Sequence, residues 1–158
     1  MTPLTEPEKT VQRMHERTAA ALAAVPYFHH LGIRLAADAH DGEVTFYLPF
    51  DARLVGNPSL PAIHGGVLAT LMQAAALLST SAALGNAVPP KLVDFSIDYL
   101  SSAGPADLYA QCEMHRVGRR IAAVGIRCWQ QSPDAPVALG RAHVYVAHSS
   151  SDASVMTP

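Results

Sequence analysis

The feature that most constrains this chain is a long uncharged stretch near its middle. Residues 54–90 contain no Asp, Glu, Lys or Arg, and they include the segment "HGGVLATLMQAAALLSTSAALG". A helix formed by this segment is apolar on all sides, so it must be enclosed either by lipid or by other parts of the protein. The many small residues, the polar side chains of His64 and Gln73, and the alternating sequence that follows favour a helix wrapped by a sheet.

The central helix is predicted to run from about Gly65 to Leu84, with Gly85-Asn86 as its stop signal. The preceding stretch, "PFDARLVGNPSLPAI", contains three prolines and is predicted to be a loop that leads to His64. Further upstream, two short strands are predicted around a turn at Asp41-Gly42, over residues 31–37 and 43–48.

Four strands are predicted after the helix. The segment "KLVDFSIDYL" alternates, with Val93, Phe95, Ile97 and Tyr99 on one face and acidic or hydroxyl side chains on the other. The segments "ADLYAQCEMHRV", "RIAAVGIRCWQ" and "VALGRAHVYVA" alternate too, and short turns join them. Four strands in series with short connections predict an antiparallel meander, and the whole layout predicts an α+β fold.

The N-terminal region has a helical pattern of its own. Thr5 and Glu8 fit a capping box, and apolar side chains then recur at three- and four-residue steps. This pattern predicts an amphipathic helix from about residue 6 to 24 that stops near Pro26. The chain is thus divided into an N-terminal helix, a main domain and a polar, aperiodic tail predicted to be disordered, at residues 1–25, 26–148 and 149–158.

The composition excludes several classes of function. Only 15% of the residues are charged and the formal net charge is −2, which argues against binding to nucleic acid or to a membrane. Cys112 and Cys128 form no disulfide-scaffold or metal pattern and are predicted to be buried thiols of a cytoplasmic protein, since the N-terminus does not resemble a signal peptide. No histidine spacing predicts a metal site, and no motif predicts a cofactor.

Three segments together resemble a known family. "HGGVLATLMQAA", "VDFSIDYLSSAGPADLYAQCEMHRVGRR" and "ALGRAHVYVA" resemble the hotdog-fold acyl-CoA thioesterases, in particular the PaaI-like branch of phenylacetate pathways. The resemblance extends over most of the main domain. It implies an antiparallel sheet wrapped around the long central helix, and a homodimer or homotetramer with sites at the subunit interface. It also implies a substrate that is an acyl-CoA or an acyl-carrier-protein thioester, and no cofactor.

The start of the central helix suits thioester chemistry. A helix N-terminus presents unpaired N–H groups and the positive end of its dipole, and Gly65 and Gly66 would let a substrate approach them closely. Such a donor can stabilise a developing oxyanion by about 3 kcal/mol. The resemblance implies that the Gly65 N–H binds the thioester oxygen and that His64 shapes the loop or contacts the thioester. Gly66 is a predicted substrate contact.

The resemblance also exposes an anomaly. The family carries a catalytic Asp or Glu nine residues beyond the HGG histidine, and this chain has Gln73 there. An amide can orient a water but cannot ionise to act as a base or nucleophile. Three interpretations stay open: Gln73 positions a water for another base, the protein binds a ligand without turnover, or the oxyanion hole alone drives a slow reaction. The candidate bases are His64, Asp94, Asp98 and Glu43.

The remaining site predictions concern other parts of the substrate. Asn57 lies one residue out of register with a loop asparagine of the family and is a predicted catalytic residue. Asp94 and Met72 are predicted to contact the substrate. Arg119 and Arg120 are predicted to bind the phosphates of CoA, because the forked donors of arginine suit phosphate oxygens.

The sequence therefore predicts a thioester hydrolase, and the alternative is a non-catalytic acyl-CoA-binding hotdog protein. A hotdog dehydratase is a third candidate. It would need a paired acid and base, and Asp51 and His64 do not have the expected spacing. The apolar side chains near the site fit aliphatic and aromatic acyl groups equally well, so the acyl group stays open.

Overall fold

The computed structural model describes residues 5–36, 43–85 and 90–146. The predicted turn at Asp41-Gly42, Asn86 and the predicted tail lie outside the described residues. Within these ranges the chain forms three α-helices and eight β-strands.

The N-terminal helix, α1 (Glu6–Ala23), is amphipathic and packs on the central helix, which confirms the sequence prediction. A short helix, α2 (Pro26–Leu31), follows and occupies the start of the region predicted as a strand. Proline suits the first turn of a helix because the N–H that it lacks would be unpaired there. Gly32 ends α2 in the left-handed conformation, with φ of 85°. The strand predicted over residues 31–37 is therefore reduced to two residues, Arg34 and Leu35.

One antiparallel sheet contains six of the strands, and these are β1 (Arg34–Leu35), β2 (Phe46–Leu48), β5 (Lys91–Tyr99), β6 (Leu108–Val117), β7 (Ile121–Trp129) and β8 (Ala138–Tyr145). Their order is β1-β2-β6-β7-β8-β5. The last three strands of the chain form the predicted meander, but β5 pairs with β8 and not with β6. The meander prediction was wrong for β5 because alternation identifies a strand without identifying its neighbour. Within the described chain, β5 is consequently an edge strand.

The inner face of the sheet wraps around α3 (Gly65–Leu84), whose bounds match the prediction. Among the described residues, α3 is the one helix whose length and mean hydropathy of 1.6 would let it cross a membrane. Half of it is buried, and Leu68, Leu71 and Met72 are enclosed completely, so it is the core helix of the domain. A sheet curled around one long helix is the hotdog arrangement that the resemblance implied.

A bulge interrupts β5 at Val93. The pairing with β8 moves from Leu92 to Asp94 in one step, which leaves Val93 as the extra residue. Val93 is 56% exposed, whereas Leu92 and Phe95 pack against the core. The prediction that Val93 shares the inner face with Phe95 was therefore wrong, because a bulge shifts the alternation by one residue.

A small hairpin replaces the loop that the sequence predicted before α3. Its strands follow a single 3-10 turn, and the three elements are the turn (Ala52–Leu54), β3 (Val55–Asn57) and β4 (Leu60–Ile63). The His64 N–H donates to the Leu54 carbonyl oxygen (2.8 Å), and the Ile63 N–H donates to the Ala103 carbonyl oxygen (2.8 Å). These two bonds fix the direction in which the chain enters α3.

Candidate active site

The first turn of α3 is capped by the side chain of the residue before it. The Nδ1 of His64 accepts a hydrogen bond from the Gly66 N–H (2.9 Å). The imidazole lies against Gly56, where an added β-carbon would be 2.8 Å from His64 Cδ2. In a neutral imidazole whose Nδ1 accepts, the proton is on Nε2. His64 is an exposed residue, so it presents a donor through Nε2 and has no free acceptor at Nδ1.

The Gly65 N–H is left open at the start of α3. The Gly66 N–H binds His64, and the Val67 N–H donates to the His64 carbonyl oxygen (2.8 Å). No group in the described part of the chain accepts a hydrogen bond from the Gly65 N–H. The two glycines that the sequence proposed as donors are therefore not equivalent, because only the first N–H is available to a ligand.

A cavity of about 370 Å³ borders this open N–H. It is lined by Gly65 together with Ala62, Ile63, Leu68, Tyr99, Leu100, Ser101, Ser102 and Ala103. Among these described residues Tyr99 carries the one titratable group, and two serines add hydroxyls. The positive end of a 20-residue helix thus lies beside a cavity whose described lining contains no carboxylate. Such a site can polarise a carbonyl, but its own lining supplies no general base.

Gln73 lies on a strip of α3 that is only partly covered. We call this strip the open stripe: Gly66, Thr70, Gln73 and Leu77, which recur at three- and four-residue steps and remain partly or fully exposed. No hydrogen bond of the Gln73 side chain is found within the described part of the chain. Gln73 follows Gly65 by eight residues, or about 12 Å along the helix axis. Within one chain the two cannot bind the same carbonyl group.

The carboxylates proposed as bases lie away from this cavity within the protomer. Asp94 is on the outer face of β5, where both carboxylate oxygens are 3.0 Å from His143 Nδ1 and 62% of the side chain is exposed. Asp98 lies four residues further along β5, on the same outer face of the sheet. Glu43 borders a different cavity, which the strands β6, β7 and β8 line. The helix and the open N–H are on the opposite side of the sheet.

The predicted phosphate-binding arginines are at the far end of the molecule. Arg119 and Arg120 form the turn between β6 and β7, beside the Lys91 end of β5. Gly65 adjoins Tyr99 at the other end of β5. The two ends are about 26 Å apart, at about 3.3 Å per residue. Within one chain the structure therefore does not bring these arginines to the cavity.

Comparison with known proteins agrees with this fold. The profile of the thioesterase superfamily matches residues 60–137. A solved structure from Chromobacterium violaceum is 34% identical with a TM-score of 0.68, and the match covers 90% of this chain and 98% of that one. The chain belongs to the thioesterase superfamily.

Two further proteins are similar to this chain. An esterase candidate from Halobacterium salinarum is 33% identical over 92 residues, and the match spans 56% of this chain and 60% of that protein's length. The Escherichia coli PaaI protein of the phenylacetic acid degradation operon is 18% identical, with a TM-score of 0.73 over 88% of this chain and 96% of its own. At 18% identity, the similarity to PaaI shows a shared fold and nothing about activity.

Two other predicted residues of this thioesterase-superfamily chain have structural partners. The Asn57 Oδ1 accepts a hydrogen bond from the Ser59 N–H (2.9 Å) and thereby shapes the tip of the β3–β4 hairpin. Met72 is fully buried, and its Cε would lie 2.7 Å from a β-carbon on Gly140. Met72 is therefore in the hydrophobic core between α3 and the sheet, which differs from the prediction that it contacts the substrate.

The surroundings of Asp51 and of the two cysteines shift their pKa values. Two bonds from the Arg53 guanidinium and one from the Arg53 N–H lower the pKa of the Asp51 carboxyl, so Asp51 stays ionised. Burial raises the pKa of the Cys112 and Cys128 thiols to about 12, which makes both poor nucleophiles. Among the described residues, no group of three His, Cys, Asp or Glu side chains could hold a metal ion.

The sequence reasoning missed the wall of the cavity. Residues 100–107 connect β5 with β6, and Leu100 to Ala103 form the wall of the cavity. The Gln130 side chain holds this connection, because it accepts from the Gly104 N–H (3.0 Å) and donates to the carbonyl oxygens of Gly104 and Ala106. Alternation places Tyr99 on the inner face of β5, but no local signal indicates that it meets residue 65.

Proposed function

We propose that this protein hydrolyses an acyl thioester of coenzyme A or of an acyl carrier protein. The observation that carries the proposal is the open Gly65 N–H at the N-terminus of α3, beside a cavity. A thioester carbonyl oxygen placed there would accept this hydrogen bond and gain from the helix dipole. Water would add to the carbonyl carbon, the C–S bond would break, and the products would be a carboxylic acid and the free thiol.

His64 acts in this proposal as a donor and not as the base. Its Nδ1 already accepts the Gly66 N–H, so a neutral imidazole has no lone pair left to take a proton from water. Its Nε2–H could instead bind the thioester oxygen as a second donor. This role fits an exposed side chain at the helix start.

A second subunit would complete the site. The unpaired edge of β5 and the uncharged open stripe are surfaces that a second copy of the chain could cover. An antiparallel partner would bring its own Gln73 toward the Gly65 of this protomer, which the protomer's own Gln73 cannot approach. We therefore propose a homodimer, which could pair into a tetramer, in which the partner's Gln73 orients the attacking water.

The same arrangement gives the distant arginines a role. If two copies pair through β5 in antiparallel fashion, the Lys91 end of one strand lies beside the Tyr99 end of the other. Arg119 and Arg120 of one subunit would then approach the cavity of its partner, where they could bind the phosphates of CoA. We also propose a cytoplasmic location, because both cysteines are free thiols.

A second candidate function is acyl-CoA binding without turnover. The observation that favours it is the chemistry of the cavity: its described lining contains no carboxylate or histidine, and the position of the family's catalytic acid holds an amide. A site with a strong oxyanion donor and no base would bind a thioester and hydrolyse it slowly.

Thiol release decides between the two functions. The protein is incubated with a panel of acyl-CoA esters of aliphatic and aromatic types, and free CoA is measured with a chromogenic thiol reagent. Thermal unfolding is recorded in parallel with the same esters. Release above that of heat-denatured protein supports the hydrolase, whereas a raised melting temperature without release supports the binding protein. If neither is observed with any ester, hydrolysis and binding of acyl-CoA are both excluded.

A further inference from the structure

We propose that Tyr99 is a positioning residue, which holds the first turn of α3 so that the Gly65 N–H stays open and the proton of His64 stays on Nε2. The inference rests on the proposed function and adds a residue to it. The Tyr99 side chain connects the last residue of β5 to the first residue of α3, two positions that are 34 residues apart in the sequence.

The contact is a short hydrogen bond to the backbone of the site. The Tyr99 Oη donates to the Gly65 carbonyl oxygen at 2.7 Å. Tyr99 is itself anchored in the sheet, because it pairs with Ala138, a fully buried residue of β8. The sheet thereby fixes the orientation of the peptide group between Gly65 and Gly66, which directly follows the open N–H.

This bond is the first in a chain of three groups. The Gly65 carbonyl and the Gly66 N–H belong to one peptide unit, and that N–H donates to His64 Nδ1 (2.9 Å). A donor on the carbonyl polarises the peptide and strengthens its N–H as a donor. Tyr99 thus favours the state in which Nδ1 accepts and Nε2 carries the proton. Without Tyr99 this peptide could rotate about the Gly65 Cα, so the imidazole would lose its fixed direction and the residue that carries the open N–H would be held less firmly.

Shape supports the same pairing. A β-carbon added to Gly65 would lie 3.1 Å from Tyr99 Oη and 3.2 Å from Cζ. The phenol therefore occupies the space that a side chain at position 65 would need. Tyr99 also lines the cavity and is 51% exposed, so its ring borders the space in which a thioester would bind. The absence of a side chain at Gly65 therefore provides the space that the phenol of Tyr99 occupies.

The kinetic test compares Tyr99→Phe with Tyr27→Phe. The first variant keeps the ring and removes the hydroxyl, and the second makes the same change at a 56%-exposed tyrosine of α2, outside the proposed site. We expect Tyr99→Phe to lower kcat about tenfold with KM changed less than about twofold, as for loss of one hydrogen bond that matters in the transition state. Tyr27→Phe should leave both unchanged. An unchanged kcat in Tyr99→Phe, or a rise in KM alone, overturns the inference.

A measurement that needs no turnover separates this inference from the proposed function. The imidazole 15N shifts of His64 are recorded at alkaline pH, where a neutral ring reveals its tautomer. We expect the wild-type ring to carry its proton on Nε2 and the Tyr99→Phe ring to show a mixture of tautomers. A wild-type ring protonated on Nδ1, or a tautomer unaffected by Tyr99→Phe, overturns the inference. Absence of thiol release from the wild type would count against the hydrolase alone.

Discussion

The two ends of α3 differ in how their unpaired backbone groups are satisfied. Every helix leaves unpaired N–H groups at its start and unpaired carbonyls at its end. At the C-terminal end Gly85 takes the left-handed conformation (φ 61°), and its N–H donates to the Ser81 carbonyl oxygen at 3.0 Å. At the N-terminal end His64 pairs with the Gly66 N–H and leaves the Gly65 N–H open. One end is closed by the backbone, and the other keeps a donor beside a cavity.

The two glycines differ in the same way. Gly85 is required by its backbone conformation, since its φ lies in the left-handed region. Gly65 is required by space, because the phenol of Tyr99 lies where its β-carbon would be. The glycine that ends the helix contributes to the stability of the fold, whereas the glycine at the start leaves room for a ligand to approach the open N–H. This difference predicts that substitutions at the two ends will change different properties of the protein.

The largest effect should follow from Gly65→Ala. The added methyl group would press on Tyr99 and tilt the open N–H, so we expect kcat/KM for an acyl-CoA to fall about 100-fold. Thiol release under initial-rate conditions measures the loss. Gly104→Ala is the matched control, because no atom lies within 4 Å of its added β-carbon, and its rate should equal the wild type. Equal rates in Gly65→Ala and the wild type would mean that this end of the helix does not bind the carbonyl.

A gain of activity should follow from Gln73→Asp. A carboxylate at this position can accept a proton from water or attack the carbonyl, and we expect thiol release to rise about tenfold or more. Gln73→Asn has the same side-chain length without the charge and should show no gain. Thermal unfolding is measured for both, because a charge on a partly covered stripe lowers stability if it remains ionised. A lower rate in Gln73→Asp would mean that the site depends on the amide itself.

The sequence predicted the parts of the molecule that depend on burial. The bounds of α3 follow from an uncharged segment between two glycine signals. The predicted alternation of β6 is also found, since Leu108, Ala110 and Cys112 lie in or against the hydrophobic core. Burial of an apolar face determines which residue types occur at regularly spaced positions in a short segment, so it can be predicted from the local sequence pattern.

The site depends on contacts that no local pattern records. The pairing of β5 with β8, the bulge at Val93 and the bond from Tyr99 to Gly65 all join residues far apart in the chain or shift a register by one. Asp94 had a suitable functional group on an alternating strand, yet the strand turns it to the outer face. Residue types alone therefore identified the open helix start but not the side chain that holds it.

At the closed end of α3, Gly85→Ala should change stability and leave activity intact. Alanine in the left-handed conformation costs about 1–2 kcal/mol, and the nearest atom to its β-carbon is the Arg17 Nη1 at 3.0 Å, which can move aside. Urea unfolding at a fixed protein concentration should show this loss in the free energy of unfolding. The rate of thiol release should stay within about twofold of the wild type. A large loss of activity would contradict the separation between the two ends.

The smallest effect is expected at His64, where the variants separate a role as helix cap from a role as hydrogen-bond donor to the substrate. His64→Ala removes the cap on the Gly66 N–H and should lower the free energy of unfolding by about 1 kcal/mol. His64→Asn should restore most of this loss, because asparagine is among the best N-cap residues. Neither variant has an Nε2–H, so both should reduce kcat about fivefold if that donor binds the thioester oxygen. If asparagine restored kcat together with stability, His64 would serve only as the cap, and Gly65 would be the one donor at the open end.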